Sequence, residues 1–298
     1  MKPTIGFVGL GLLGQPTAKR LLEQGWPMVV WNRTPEKAAP LVRLGAEQAA
    51  TPAEVAVRAE IVISMVLDGA ALESVTLGPT GIASAIGSGK AHCDMSTIDL
   101  STVRRVAAHY ASGDADFLRA PVLGNGHAAA AGKLLIFAGG PARGIDKCLP
   151  VFAALGTKLW RWDSAETSSC VKLACNMLIA GMIEPFAESL LLAKRAGVEP
   201  RTMLEIVGAS ALSSPMYTGK GELMARGAFE PTFYMRNMVK DLVLTLDAAR
   251  QLGVHLPGLA ETERLFSTAS AQGYSEKDYA AIYEWLENQT PARAAQAD

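Results

Sequence analysis

The stretch Thr4-Ile5-Gly6-Phe7-Val8-Gly9-Leu10-Gly11-Leu12-Leu13-Gly14 decides the reading of this chain. A short β-rich run passes into G-x-G-x-x-G, and a helical pattern begins at once. That is the context in which the glycine spacing means dinucleotide binding. Gly9 permits a tight turn, Gly11 lets the backbone approach a pyrophosphate, and Gly14 lets the helix pack on the strand. The phosphates then face the positive end of the helix, so Gly9, Leu10, Gly11, Leu12, Leu13 and Gly14 are expected to contact the cofactor. The next strand candidate ends in Trp31-Asn32-Arg33-Thr34, where an NAD site places a carboxylate for the ribose. Asn32 is uncharged and Arg33 offers a planar cationic fork suited to a phosphate. The expected cofactor is therefore NADP(H), held in part by Asn32, Arg33 and Thr34.

Outward from this loop, β-rich and helical runs alternate as far as about Trp162, the pattern of a parallel sheet with crossover helices. Strands are expected at Thr4–Val8, Met28–Trp31, Ile61–Met65, His92–Met95, Phe117–Val122, Leu134–Gly139 and Lys158–Trp162. Helices are expected between them, among others at Leu13–Gln24, Pro35–Leu44, Ala70–Val75, Leu100–Ala111 and Arg143–Leu155. Beyond Ser168 the text reads as helices only: Ser169–Ala196, Pro200–Gly208, Pro215–Arg226, Met235–Leu252, Leu256–Gln272 and Asp278–Glu287. The expected fold class is α/β, with an N-terminal Rossmann-type domain over residues 1–165, an all-helical domain over 166–290 and a frayed, Ala-rich tail at 291–298. Pro185 lies inside the long helical stretch, so a kink or break is expected near Ile183.

The 298 residues fit two domains. With 28 Lys and Arg against 29 Asp and Glu, the net charge of -1 offers no excess positive charge for nucleic acid. The four cysteines form no C-x-x-C pair and no disulfide framework, and His92, His109, His127 and His255 are scattered, so no metal site is expected. The N-terminal apolar run lacks the basic flank and cleavage site of a signal peptide. The stretch Met177–Ala193 is interrupted by Glu184, Pro185 and Glu188, short of an uninterrupted membrane span. A soluble, cytoplasmic protein without nucleic-acid or membrane partners is the expectation.

Further motifs follow in order: Asp94-Met95-Ser96-Thr97; Ala120-Pro121-Val122, then Gly132 and Gly139-Gly140; Lys172 with Asn176; and Lys240-Asp241-Leu242. With the glycine loop, they resemble the β-hydroxyacid dehydrogenases, a family that includes 3-hydroxyisobutyrate dehydrogenase, tartronate semialdehyde reductase and glyoxylate/succinic semialdehyde reductase. The resemblance spans nearly the whole chain. It is nearest to the glyoxylate/succinic semialdehyde branch, through Asn32-Arg33-Thr34, Ser214-Pro215-Met216-Tyr217 and Gly219-Lys220-Gly221.

Lys172 and Asn176 are four apart on a helical stretch, so they share a face. In a cleft between the domains, desolvation and a second cation would lower the lysine pKa toward that of a usable proton donor. The resemblance implies that Lys172 protonates a carbonyl oxygen as hydride arrives at carbon. It further implies that Asn176 holds the substrate or the lysine, that Lys240 lies near the nicotinamide with Asp241 as a possible orienting partner, that Thr97 contacts the cofactor and that Ser96 contacts the substrate. Val66 and Leu67, after the strand candidate Ile61–Met65, complete the expected cofactor contacts. Ser96 and Thr97 also read as a plain N-cap for the helix starting near Asp99.

Three positions depart from the family. Leu123-Gly124-Asn125 stands where the family usually has Ser-Gly-Gly or Ser-Gly-Ser, and leucine cannot donate to a substrate carboxylate. Either the pocket takes a larger or less polar aldehyde, or Asn125 and backbone N–H groups substitute; Leu123, Gly124 and Asn125 are the expected substrate contacts beside Ser96, Lys172 and Asn176. Glu166 and Ser168 replace glycines of a G-x-G before the lysine, and their side chains are expected to alter how closely a loop there approaches the cofactor.

The leading expectation is an NADPH-dependent reductase of small aldehydes or semialdehydes, working as a homodimer or homotetramer. Imine reductases share the layout and the Asn-Arg-Thr signature but usually lack the lysine. A non-catalytic binding protein on the same fold is the third reading; the retained Lys172 argues against it.

Overall fold

The computed structural model describes residues 2–291; the tail expected to fray lies, but for Pro291, outside the described residues. The strands are β1 (Ile5–Val8), β2 (Met28–Trp31), β3 (Glu47–Gln48), β4 (Ile61–Ser64), β5 (Ala91–Asp94), β6 (Asp116–Arg119), β7 (Val122–Leu123), β8 (Leu134–Gly139) and β9 (Gly156–Trp162). The helices among them are α1 (Gly14–Glu23), α2 (Ala39–Val42), α3 (Pro52–Arg58), α4 (Gly69–Leu77), α5 (Leu100–Tyr110), α6 (Gly126–Ala130) and α7 (Ala142–Leu155). They are followed by α8 (Ala165–Arg195), α9 (Pro200–Ala209), α10 (Pro215–Arg226), α11 (Met235–Gln251), α12 (Pro257–Ala269) and α13 (Ile282–Gln289). The described chain forms two compact units that divide between Leu173 and Ala174, inside α8.

The first unit is the expected Rossmann-type sheet, ordered β3-β2-β1-β4-β5-β6-β8-β7, with β9 on the free side of β8. Strands β1 to β6 run parallel. Each of β1, β4 and β5 is buried along its whole length, because helices cover both faces and both sets of alternating side chains need apolar partners. Ile5, Phe7, Ile61 and Ile63 enter one core with Leu21 of α1 and Val151 of α7. Val8 and Val62 enter the other with Val55 of α3, Leu72 of α4 and Val103 of α5.

Two features differ from the expected all-parallel sheet. The run Phe117–Val122 is two short strands separated by Ala120 and Pro121, since proline has no N–H for the ladder. Strand β8 then pairs antiparallel with both β6 and β7. Strand β3 is two exposed polar residues, and so gives no apolar signal.

The second unit is helical. Ala180, Ile183, Phe186 and Leu190 of α8 pack with Met224 of α10, Met238 and Leu242 of α11, Phe266 of α12 and Trp285 of α13. Helix α8 begins four residues earlier than expected and runs unbroken for 31 residues with Pro185 inside it. An interior proline costs roughly 3 kcal/mol, which burial of Ile183, Phe186 and Leu190 on the adjacent turns offsets. By length and composition this helix does meet the requirement for crossing a membrane, contrary to the reading of Met177–Ala193; its buried face is committed to the core just described. The helix expected to reach Gln272 ends at Ala269, and the chain turns at Gly273 with φ +99°.

Candidate active site

The carboxyl ends of β1, β2, β4 and β5 lie side by side, and chain order reverses direction between β1 and β4. Open α/β sheets bind ligands at such a switch point. At the end of β1, Gly9 has φ +101° and a Cβ there would stand 2.3 Å from the Met65 carbonyl oxygen. At Gly14 a Cβ would stand 2.1 Å from the Gly9 oxygen. Each glycine is therefore required by backbone packing. A Cβ on Gly11 would meet nothing within 4 Å, and no side chain caps the N-terminus of α1. The helix end thus faces open space with its amide dipole uncompensated, which is the cradle a pyrophosphate fits.

Asn32 is bonded on both sides of its carboxamide within the chain. Its Oδ1 accepts from Leu10 N–H at 2.8 Å and its Nδ2 donates to the Thr34 carbonyl at 2.9 Å. The carboxamide ties the glycine loop to the turn after β2. Arg33 and Thr34 beside it are exposed, and Arg33 forms no ion pair among the described residues. Leu12 and Leu67 project apolar side chains into solvent, and Val66 lies against Gly9.

Below the turns after β4 and β5 lies a buried polar network that the sequence reading passed over. Asp94 and Arg119 are register partners on β5 and β6 and form a fully buried ion pair. Ser64 and Ser96 both donate to Asp94 Oδ1, at 2.6 and 2.7 Å. Ser96 Oγ also accepts from Val66 N–H at 2.9 Å. The Ser96 hydroxyl expected to reach substrate is thus buried and engaged within the chain. The N-cap of α5 is Asp99, which accepts from Thr102 N–H at 2.7 Å, so neither Ser96 nor Thr97 fills that role.

Since Ser64 spends its proton on Asp94, His92 Nε2–H donates to Ser64 Oγ at 2.9 Å, and Tyr110 O–H donates to His92 Nδ1 at 3.0 Å. Burial and then the Arg119 charge push His92 down to about 3, so its ring is neutral. Burial also pushes Arg119 down, to about 9, which leaves it charged at neutral pH.

Asn125 caps α6, accepting from Ala128 N–H at 3.1 Å, which leaves its Nδ2 as donor. Leu123 is half-buried and Gly124 exposed. The loop expected around Glu166 and Ser168 is instead the first turn of α8. Glu166 pairs with Arg104 at 2.7 Å on the surface, and Ser168 packs against Gly139, where a Cβ would stand 2.7 Å from the serine oxygen.

Lys172 is buried on α8 in the first unit. In the second unit, Asn176 Nδ2 donates to Asp241 Oδ2 at 2.5 Å, and Lys240 Nζ lies 3.0 Å from Asp241 Oδ1. One buried carboxylate therefore orients two of the expected site residues. Among the described residues no three His, Cys, Asp or Glu side chains converge as a metal site.

The glycine cradle at the switch point of the sheet is that of a dinucleotide-binding protein. Residues 4–171 match the NAD-binding domain of 6-phosphogluconate dehydrogenase, and residues 167–286 match the NAD-binding domain of NADP-dependent 3-hydroxyisobutyrate dehydrogenase. Glyoxylate/succinic semialdehyde reductase 1 of Arabidopsis thaliana is 32% identical over 94% of this chain and 97% of its own. The chloroplastic reductase 2 of the same plant is 31% identical over 95% of this chain and 79% of its own. A crystal structure of 3-hydroxyisobutyrate dehydrogenase from Salmonella typhimurium, 28% identical, superposes with a TM-score of 0.87 over 95% of this chain and 99% of its own. The chain belongs to the β-hydroxyacid dehydrogenase family, the group of the 3-hydroxyisobutyrate dehydrogenases and the glyoxylate/succinic semialdehyde reductases.

Proposed function

We propose that the protein is an NADPH-dependent reductase of small aldehydes and semialdehydes, reversible as a β-hydroxyacid dehydrogenase, with Lys172 as the proton donor. The observation that carries the cofactor choice is the end of β2. The Asn32 carboxamide is uncharged and tied to Leu10 and Thr34, it stands where a carboxylate would take a ribose diol, and exposed Arg33 offers its fork to a 2′-phosphate. When bound, the dinucleotide supplies hydride to the carbonyl carbon. The chain supplies the proton: Lys172 Nζ gives it to the carbonyl oxygen in the reductive direction and takes it back in the oxidative one.

Asn176 and Lys240, fixed by Asp241, hold the substrate and the nicotinamide end, and Thr97, Val66 and Leu67 line the cofactor. Leu123 offers no hydrogen bond to a substrate carboxylate, so Asn125 Nδ2 and backbone N–H groups do that work less strongly and less polar aldehydes are accepted. The names of the plant relatives favour glyoxylate and succinic semialdehyde as first substrates to try. Retention of Lys172 and Asn176 favours carbonyls over imines. Exposed Leu178, Leu192, Ile206 and Leu212 on the helical unit support a homodimer or homotetramer.

The test is turnover of glyoxylate, succinic semialdehyde, neutral aldehydes and cyclic imines with NADPH and NADH, alongside Arg33→Ala. We expect carbonyl reduction with NADPH and a loss in Arg33→Ala of about 10-fold or more in NADPH affinity with little change for NADH. Equal effects on both cofactors would remove the 2′-phosphate argument, and tight NADPH binding with no turnover would overturn the reductase reading.

A further inference from the structure

Arg119 is among the largest fully buried side chains of the molecule and sits at the end of a parallel strand, where an apolar residue would fill the space at lower cost. Its guanidinium makes three contacts on two separate segments. Nη1 pairs with Asp94 at the end of β5. Nη2 donates to the Ser96 carbonyl oxygen, in the turn after β5, at 2.5 Å. Nε donates to Ser169 Oγ, in the first turns of α8, at 3.2 Å, and that hydroxyl donates onward to the Ala165 carbonyl at 2.9 Å. Ser169 is three residues before Lys172 and therefore on the same side of the helix. Space filling would not require three directed donors. A fork of this shape fixes distances among the groups it joins.

We propose that Arg119 is a positioning residue for the reaction: it sets the first turns of α8, and with them the root of the Lys172 side chain, against the turn that carries Ser96 and Thr97. The proposal rests on the reading of Lys172 as proton donor. A lysine has a long flexible stem, so a shift of its backbone root is carried to its ammonium. Displacement of a reacting group by about 1 Å can cost on the order of 100-fold in rate.

Removing Arg119 alone strands a buried carboxylate and endangers the fold, so two other variants carry the test. Ser169→Ala cuts only the link to α8 and keeps the ion pair. The double variant Asp94→Asn with Arg119→Met removes both charges together. Both are measured by melting temperature, NADPH dissociation constant, kcat, and the solvent deuterium isotope effect on kcat, beside Lys172→Ala.

We expect kcat to fall about 3- to 10-fold in Ser169→Ala and about 100-fold in the double variant. In Ser169→Ala, NADPH affinity should stay within about twofold, and in both variants the solvent isotope effect should rise as proton transfer becomes limiting. The inference is overturned if an inactive Lys172→Ala accompanies a Ser169→Ala enzyme with wild-type kcat and isotope effect. It is also overturned if losses in kcat merely follow losses in NADPH affinity and melting temperature. A fully active Lys172→Ala would instead remove the proton-donor reading itself. Should the double variant not fold, Ser169→Ala decides alone.

Discussion

Two buried ion pairs, one in each unit, differ in what they are tied to. Asp94–Arg119 joins two parallel strands and sends its remaining bonds to the turn after β5 and to the start of α8. In the helical unit, Lys220 Nζ lies 2.7 and 2.8 Å from the two oxygens of Asp278, over the ring of Tyr279. Asp278 also accepts from the Thr232 hydroxyl and from the N–H groups of Thr232, Phe233 and Ala280. Both carboxylates are fully buried and well bonded. The Asp278 bonds end on α10 and on the segments 232–233 and 280, which carry none of the expected site residues, whereas the Asp94 and Arg119 bonds end on Ser96, Val66 through Ser96, and the helix of Lys172. Burial and saturation mark a pair that is costly to disturb; where its bonds lead decides whether disturbing it reaches the chemistry.

The largest expected effect that separates the two concerns acid. His92 is held neutral inside the Asp94 network with a folded pKa of about 3, against about 6.5 in the unfolded chain. The unfolded state therefore binds the extra proton first. Stability is fully present above about pH 6.5 and is lost as the pH falls toward 3, by up to about 5 kcal/mol over the whole window. Urea unfolding at pH 7 and pH 4 should show this decline, and His92→Gln should flatten it. An unchanged decline in that variant would detach His92 from the acid response.

Somewhat smaller is the expected cost of Lys220→Met, which leaves Asp278 buried without its cation: about 3–5 kcal/mol in unfolding free energy. At a temperature where the variant is folded, kcat and NADPH affinity should match wild type. A fall in kcat there would erase the difference between the two pairs.

The glycine cradle was legible in the sequence because it is made of backbone: φ +101° at Gly9 and the close approach at Gly14 admit no side chain, so the residue type itself carries the geometry. The strand and helix alternation was legible for the same local reason. Side-chain partnerships across the sheet were not. Asn32 reads as an uncharged residue at the cofactor end of β2, and nothing local shows that its carboxamide is bonded to Leu10, 22 residues away. Asp94 and Arg119 leave one trace, opposite charges inside the strand candidates His92–Met95 and Phe117–Val122, and only the register of β5 with β6 makes them partners. The first turn of α8 reads as a loop when the family's glycines are set against it, yet Glu166 and Ser168 are ordinary helix-start residues and the chain coils accordingly.

The most direct test of the whole account is a single-turnover measurement on Lys172→Met, following oxidation of bound NADPH by the aldehyde that wild type reduces fastest. NADPH affinity is expected to stay within a few-fold of wild type and the rate of hydride transfer to fall by about 10²–10⁴. A wild-type rate in that variant would contradict the assignment of Lys172 as proton donor.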